Sequence, residues 1–329
     1  MLKIGLLGTG HLGKIHLKCI QMVEQYDFIG FYDPDNQNAK IAADTYNAKR
    51  WTDLNELLDA VDVIDIVTPT TTHFELAKKA IEKGKHVFIE KPLTHTLEEA
   101  ESLLELSKVA GVKIQVGHVE RFNPAFLALE GIPLNPMFIE AHRLALFNPR
   151  GTDVSVILDL MIHDLDLVLN LVDSEVKSIS ASGVAVVSNT PDISNARIEF
   201  ENGAVANLTA SRISMKQMRK LRLFQRDAYI SLDFLEKNAQ VVRLYDKGSE
   251  NIPDADNLME LETNNGTKII HMEMPDIESV NSIKMELETF ALSILDDNIP
   301  IVSIEDGYKA LEVAYQIIEQ IEKRKTAIL

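Results

Sequence analysis

Leu2-Lys3-Ile4-Gly5-Leu6-Leu7-Gly8-Thr9-Gly10-His11-Leu12-Gly13 opens the chain as an apolar run that ends in a glycine-rich turn. The residues before Gly8 are enough for one buried parallel strand. A helical pattern follows, with Leu12, Ile15, His16, Cys19 and Met22 or Val23 expected on one face. A second apolar run, Phe28-Ile29-Gly30-Phe31-Tyr32, then ends on Asp33. Strand, G-x-G-x-x-G turn, helix, strand and acid form the order of a dinucleotide-binding βαβ unit. In such a unit Gly8 allows the tight turn, Gly10 lets a pyrophosphate approach the backbone, and Gly13 lets the helix lie close to the sheet. The helix N-terminus offers unpaired N–H groups and a positive dipole end to the anion. Thr9, His11 and Leu12 complete the turn. Asp33, twenty residues past Gly13, stands where an acid accepts hydrogen bonds from a ribose 2′-hydroxyl.

The same region bears on the choice between NAD and NADP. Asp33 is followed by Pro34-Asp35-Asn36, which brings two carboxylates and no Arg or Lys, and the nearest cation in sequence is Lys40. Repulsion of a 2′-phosphate there favours NAD.

Outward from this stretch, the alternation continues. Helices are expected over 36–46, 54–58, 73–83 and 97–110, and strands over 61–67, 86–89 and 112–116. That rhythm predicts an α/β fold: a Rossmann doubly wound parallel sheet over residues 1–120, with ligands bound beyond the carboxyl ends of its strands. The rule brings Thr68-Pro69, Glu90-Lys91-Pro92 and Gly117-His118 to the rim that carries the glycine turn. From residue 121 to 329 strand-like runs follow one another, over 138–146, 176–187, 196–200, 205–211, 221–225, 229–232 and 241–245. Asn202-Gly203 marks a hairpin, and helices are expected over 158–171, 279–295 and 305–323. This half reads as an α+β substrate-binding and oligomerisation domain with a large, mostly antiparallel sheet, its C-terminal helices free to pack back on the Rossmann half. The acidic stretch 248–266 reads as a long loop.

The chain has 329 residues, enough for about two domains. Its formal charge of −17 argues against nucleic acid or an anionic membrane as the main partner. It leaves room for an anionic small substrate in a local basic pocket. Cys19 is the single cysteine, which excludes an intrachain disulfide. The absence of a basic segment before an apolar core, and of any run long enough to span a bilayer, predicts a soluble cytoplasmic protein.

Three residues suit hydroxyl chemistry. Pro92 holds Lys91 away from the helical region, so its ammonium is aimed with little freedom toward a reacting oxygen. Asp159 and His163, four apart on a helix, share a face, where the carboxylate orients an imidazole that titrates near neutrality. Each also has a plainer reading, Lys91 as a surface cation and Asp159–His163 as a satisfied core-facing pair. Asp164 and Asp166 read as a solvated or capping pair. His73 starts a helix at the rim, either touching the dinucleotide or capping. Arg121 and Asn123 either line a substrate cleft or belong to a linker in which Pro124 starts a helix. Lys216, Arg219, Lys220, Arg222 and Arg226 form a dense basic run, read first as partners of acidic side chains and second as a phosphate contact. Asp159, His163 and His118 lack the spacing of a metal site, so no metal is expected. No G-x-S-x-G elbow is present.

The glycine turn, Glu90-Lys91-Pro92 after a strand, and Asp159-x-x-x-His163 in that order resemble the glucose-fructose oxidoreductase / inositol dehydrogenase (Gfo/Idh/MocA) family. The resemblance covers nearly the whole chain. It implies a catalytic set of Lys91, Asp159 and His163, with His163 as acid/base and Lys91 assisting at the reacting oxygen. It also implies a tightly bound nicotinamide and a homodimer or homotetramer built through the second domain's sheet. Gly117 to Pro124 with its His118, Asp159 to Asp166, and Ala210-Ser211-Arg212 are most similar to the branch of UDP-N-acetylglucosamine 3-dehydrogenases and related nucleotide-sugar oxidoreductases. That likeness implies hydride transfer between a sugar hydroxyl, C3 of a UDP-N-acetylhexosamine, and NAD, with His118, Arg121, Asn123 and Arg212 near substrate. A free monosaccharide or inositol dehydrogenase, and a non-catalytic dinucleotide sensor, are the alternatives. Free-sugar members often carry glycines where this chain has Asp153-Val154-Ser155 and Met161.

Overall fold

A computed structural model describes residues 1–148 and 154–328; Asp153 lies outside them. The chain divides into two compact units, Met1–Phe122 with Asn281–Glu312, and Asn123–Val280 with Val313–Leu329. The first unit thus takes back a C-terminal segment, the return that the expected division at residue 120 left open for the C-terminal helices.

In the first unit the elements alternate: β1 (Leu2–Leu7), α1 (His11–Ile20), β2 (Tyr26–Tyr32), α2 (Asn36–Tyr46), β3 (Arg50–Trp51), α3 (Leu54–Ala60), β4 (Val63–Ile66), α4 (His73–Glu82), β5 (His86–Glu90), α5 (Leu97–Ala110) and β6 (Ile114–Gly117). The strands form a parallel sheet in the order β3-β2-β1-β4-β5-β6. The order reverses direction between β1 and β4, the switch point at which open α/β sheets bind ligands. Local sequence explains the helix ends. Asp35 and Asp53 cap α2 and α3, Thr96 and Glu99 form a capping box on α5, and Gly111 closes α5 in the left-handed region.

The buried face of α1 is Gly13, His16, Leu17, Cys19 and Ile20, about one position round from the expected one; Leu12, Ile15 and Met22 are exposed. The helix is turned so that Gly13 lies on the sheet and Leu12 faces the ligand rim.

The second unit begins with α6 (Pro124–Leu127) and β7 (Phe138–Leu144), followed by a π-helical turn at Ile157–Met161 that runs into α7 (Ile162–Leu171). Next come β8 (Val176–Val184), β9 (Ile193–Phe200), β10 (Val205–Ser211), β11 (Met218–Phe224), β12 (Ala228–Asp233), β13 (Asn238–Asp246), β14 (Leu258–Thr263) and β15 (Gly266–Glu273). They form one sheet in the order β14-β15-β13-β12-β11-β7-β10-β9-β8, antiparallel except for the β7–β10 pair. Alternating burial along β7, β9 and β10 puts one face of this sheet in the core.

The β14–β15 hairpin replaces the second half of the expected 248–266 loop. Its turn ends at Gly266, whose φ of 112° suits glycine. Two helices complete the described chain. Of these, α8 (Ser282–Leu295) buries Leu287, Phe290 and Ala291 in the first unit's core, and α9 (Ile304–Ile328) is the C-terminal element. Among the described residues no helix is long and apolar enough to cross a membrane.

Candidate active site

Where β1 meets α1, backbone geometry builds the ligand site. Gly8 has φ of 89°, and a Cβ there would meet the Val67 carbonyl oxygen at 2.7 Å. A Cβ on Gly13 would run into the Gly8 carbonyl, so only glycine permits this approach of helix to strand. A Cβ on Gly10 would meet nothing within 4 Å, which is the open space an approaching anion needs. These residues edge a cavity of about 720 Å³. Gly8, Gly10, His11 and Leu12 line one side, Asp33, Pro34 and Asp35 the end, and Thr68, Pro69, Glu90 and Lys91 the opposite rim. The volume suits a nucleotide-sized ligand. The cradle therefore fits a dinucleotide, its pyrophosphate at the α1 N-terminus and a ribose at Asp33.

Thr9, Gly13 and His73, also expected at the cofactor, do not line the cavity but shape it. Thr9 donates to Asp33 Oδ2 from both its backbone N–H and its hydroxyl, each at 2.7 Å, and the Asp35 N–H donates to Oδ1 at 2.8 Å. Asp33 is thus fixed before any ligand arrives. His73 is buried, with Nδ1 at 3.0 Å from the Pro92 carbonyl oxygen and Nε2 at 2.9 Å from that of Thr68. It straps two rim turns together, a role that neither expected reading anticipated. Burial lowers its pKa, although the carbonyl contacts work the other way.

Sequence reading missed a cation at the Asp33 end. Arg50 reaches it from β3 and donates through Nη2 to the Asp33 carbonyl oxygen at 3.1 Å and to Asn36 Oδ1 at 2.8 Å. Its distance along the chain hid it. Only the β2–β3 pairing brings it in.

Lys91 follows β5 and opens the rim turn; the Lys91–Pro92 peptide is cis. Beneath it lies a buried polar cluster that sequence reading also missed. His16 Nδ1 is 2.9 Å from Asp65 Oδ2, and its Nε2 is 3.1 Å from Glu90 Oε1. Burial opposes charge on this imidazole, yet Asp65 first and Glu90 second hold its pKa well above the ordinary value. Burial raises the Asp65 carboxyl, with His16 resisting.

In the second unit Asp159 sits in the π-helical turn and His163 is the second residue of the helix that follows. Both are half-buried on an otherwise buried segment, so together with Leu160 they mark its open side. A π-turn departs from the even α spacing first assumed for the pair, and such turns recur at functional sites. Asp164 is neither solvated nor a cap. It is 3% exposed and takes a forked ion pair from Arg143 of β7, with Nη2 at 2.8 Å and Nε at 3.1 Å from Oδ1. Asp166 is likewise buried.

Three of the four residues expected near substrate make contacts with the protein framework. Arg121 extends Nη1 to the Ile301 carbonyl oxygen at 3.2 Å and lies 3.6 Å from Asp306. Asn123 caps α6 and donates to the Phe234 carbonyl oxygen. Arg212 pairs with buried Asp192 at 3.0 Å and donates to the Val154 carbonyl oxygen at 2.8 Å. It thereby pins the segment that leads into the π-turn. The fourth, His118, is buried just past β6. In the basic run, Lys220 pairs with Asp233 and Arg222 with Glu140, as first read.

Among known proteins, residues 2–118 match the model of the oxidoreductase family with an NAD-binding Rossmann fold, and residues 141–230 match the GFO/IDH/MocA C-terminal domain. A UDP-N-acetylglucosamine 3-dehydrogenase of Acidithiobacillus ferrooxidans is 33% identical over 98% of this chain and 97% of its own. A solved structure of that enzyme superposes with a TM-score of 0.87 at 32% identity over 98% of both chains. The NAD-linked scyllo-inositol 2-dehydrogenase of Bacillus subtilis is 32% identical over 64% of this chain and 68% of its own. With the dinucleotide cradle formed at its N-terminus and both family domains present, the chain belongs to the Gfo/Idh/MocA family and is an oxidoreductase built on an NAD-binding Rossmann fold.

Proposed function

We propose that this enzyme oxidises the C3 hydroxyl of a UDP-linked N-acetylhexosamine to a ketone, with NAD as cofactor, and that Lys91, Asp159 and His163 are its catalytic set. The observation that carries the substrate class is the likeness to the Acidithiobacillus enzyme, which runs through both units rather than the Rossmann half alone. When bound, the nicotinamide supplies a hydride acceptor. His163 takes the hydroxyl proton as the C–H bond breaks, and Asp159 steadies the imidazolium that results. Lys91 stabilises negative charge on the reacting oxygen. His118 sits with the substrate.

The preference for NAD rests on Asp33 and Asp35, whose carboxylates line the end of the cavity and repel a 2′-phosphate. Arg50 is the nearest counterweight, but its Nη2 is already shared between the Asp33 carbonyl and Asn36. Exposed Met259, Leu261 and Met272 on the β14–β15 hairpin support a homodimer or homotetramer assembled through the large sheet.

The test is nicotinamide absorbance with NAD against UDP-N-acetylhexosamines, UDP-uronates, free hexoses and inositols. Reduction confined to UDP-sugars supports the proposal, whereas reduction by free polyols alone moves the enzyme to the inositol type. Lys91→Met and His163→Ala are each expected to cut kcat by about 10²–10⁴-fold with NAD binding nearly intact. Undiminished turnover in both variants would exclude the catalytic set.

A further inference from the structure

The polar cluster beneath Lys91 contains more acid than its surroundings can hold in ionised form. Glu286 on α8 is fully buried, and among the described residues neither of its carboxylate oxygens has a hydrogen-bond partner. One of them lies within 4.8 Å of both a His16 ring nitrogen and a Glu90 oxygen. The elements packed around this point and around α8 contribute His16 and Cys19 from α1, Tyr26 from β2, Asp65 from β4, Glu90 from β5, Gln115 from β6, and buried Glu120 and Arg121 from the 119–122 turn, whose opposite formal charges cancel in the sum. Burial keeps the protons on Cys19 and Tyr26. Three carboxyl groups and one imidazole are left to balance, and with all three ionised two negative charges would stand uncompensated in a dry interior.

Glu90 is the carboxylate with reason to stay ionised. Its Oε1 faces the His16 imidazolium at 3.1 Å, and its Oε2 accepts the Lys91 N–H at 3.3 Å. Gly117 leaves the room it needs, since a Cβ there would come within 2.8 Å of Oε1. Among the described residues Glu286 has no such donor. Its own backbone carbonyl is tied to Gln115 Nε2 at 2.6 Å, which holds α8 in place over the cluster. Burial first, and the neighbouring Glu90 charge second, push its pKa well up.

We propose that Glu286 is a positioning residue whose carboxyl group is protonated in the folded chain and shares that proton with the Glu90 carboxylate, fixing Glu90 as an anion beside Lys91. The gap between them is one that a bridging water or a small side-chain rotation closes. Glu286 touches neither cofactor nor substrate. It acts through Glu90, so its effect on turnover rests on the role proposed above for Lys91, while its protonation does not.

Infrared spectra of the whole enzyme at neutral pH read the proton directly. Wild type is expected to show the C=O stretch of a buried protonated carboxyl group, and Glu286→Gln to lack it. Gln keeps the shape and a donor, so it should hold kcat at neutral pH and also hold it at alkaline pH, where wild-type kcat declines as the acid ionises. Glu286→Met keeps the volume without a donor and should lower kcat about tenfold, the size of one lost buried hydrogen bond, with KM unchanged.

An unaltered C=O band in both variants overturns the proposal, and so does an alkaline limb of kcat that both variants share with wild type. One equivalent of divalent metal bound to wild type and absent from Glu286→Gln also overturns it, because a metal would need the carboxylates ionised. If Lys91→Met keeps full turnover while Glu286→Gln loses the band, the catalytic reading of Lys91 fails and the protonated Glu286 stands.

Discussion

The two units of this chain build their sites from different materials. In the first, the cradle is made of backbone: three glycines, a helix N-terminus and one acid held by the turn it faces. In the second, the helix that carries Asp159 and His163 is held by buried side-chain pairs, Arg143–Asp164 from β7 and Arg212–Asp192 from the end of β10. A backbone site is written in consecutive residues. A side-chain site is written in residues twenty or more positions apart that only the fold unites. The contrast predicts that substitutions in the second unit act first on stability and those in the cradle act first on ligand affinity.

The strongest challenge to that contrast is Arg212→Ala. It leaves Asp192, which is fully buried, without its cation and releases the Val154 carbonyl that precedes the π-turn. Loss of one partner from a buried pair costs about 3–5 kcal/mol. Denaturant unfolding should show that loss, and kcat should fall with it as the Asp159 turn loosens. NAD affinity, which belongs to the other unit, should not change. A stable Arg212→Ala protein with an altered KM for the sugar alone would instead make Arg212 a substrate contact.

Gly10→Ala probes the other side. A methyl group there meets no atom within 4 Å, so Tm should stay within the error of wild type. The same methyl lies where the pyrophosphate must approach, and crowding of this kind costs about 1–3 kcal/mol. NAD affinity by calorimetry should weaken accordingly, roughly ten- to a hundredfold. Equal affinity in the variant would mean that the dinucleotide lies away from the glycine turn.

What could be read from sequence follows the same divide. Gly8 to Gly13, Asp33 and the strand–helix rhythm were legible because local spacing alone dictates them. Asp164 was not, since nothing in Asp-Leu-Asp announces an arginine twenty-one residues earlier on β7. His16 looked like one more residue on an apolar helix face until β4 and β5 supplied Asp65 and Glu90. Arg50 escaped notice because its relation to Asp33 runs through sheet pairing. The β14–β15 hairpin was hidden for a different reason. Its outer strand is exposed on both faces, and the short alternation Met259-Glu260-Leu261-Glu262 lies within an acidic, polar stretch whose composition reads as loop.

The smallest expected effect, and the one that sharpens the contrast most, is that the units answer pH with opposite sign. In the second unit burial raises the Asp192 carboxyl, but the Ser188 hydroxyl and the N–H groups of Val186, Val187 and Ser188 outweigh it and hold the pKa well below its ordinary 3.8. A group depressed in this way contributes stability above its unfolded value, which is lost as pH falls toward the folded one. In the first unit His16 and Glu286 are both raised, from 6.5 and 4.5. Their contributions are complete below those unfolded values and are lost as pH climbs through the folded ones, at up to about 1.4 kcal/mol per pH unit for each proton. His73, whose pKa is lowered from 6.5, is neutral both folded and unfolded at pH values well above 7 and so adds nothing to the alkaline limb. Trp51 is the chain's one tryptophan and lies in the first unit, so its fluorescence reports that unit's unfolding. Its denaturation midpoint should fall on going from neutral to alkaline pH, while hydrogen-exchange protection of β9 and β10 holds steady. Below about pH 4 protection of β9 and β10 should fall, and Asp192→Asn should remove that acid dependence. If the Trp51 midpoint rose with pH instead, the buried cluster would be ionised in the folded chain and its charges balanced by something other than protons.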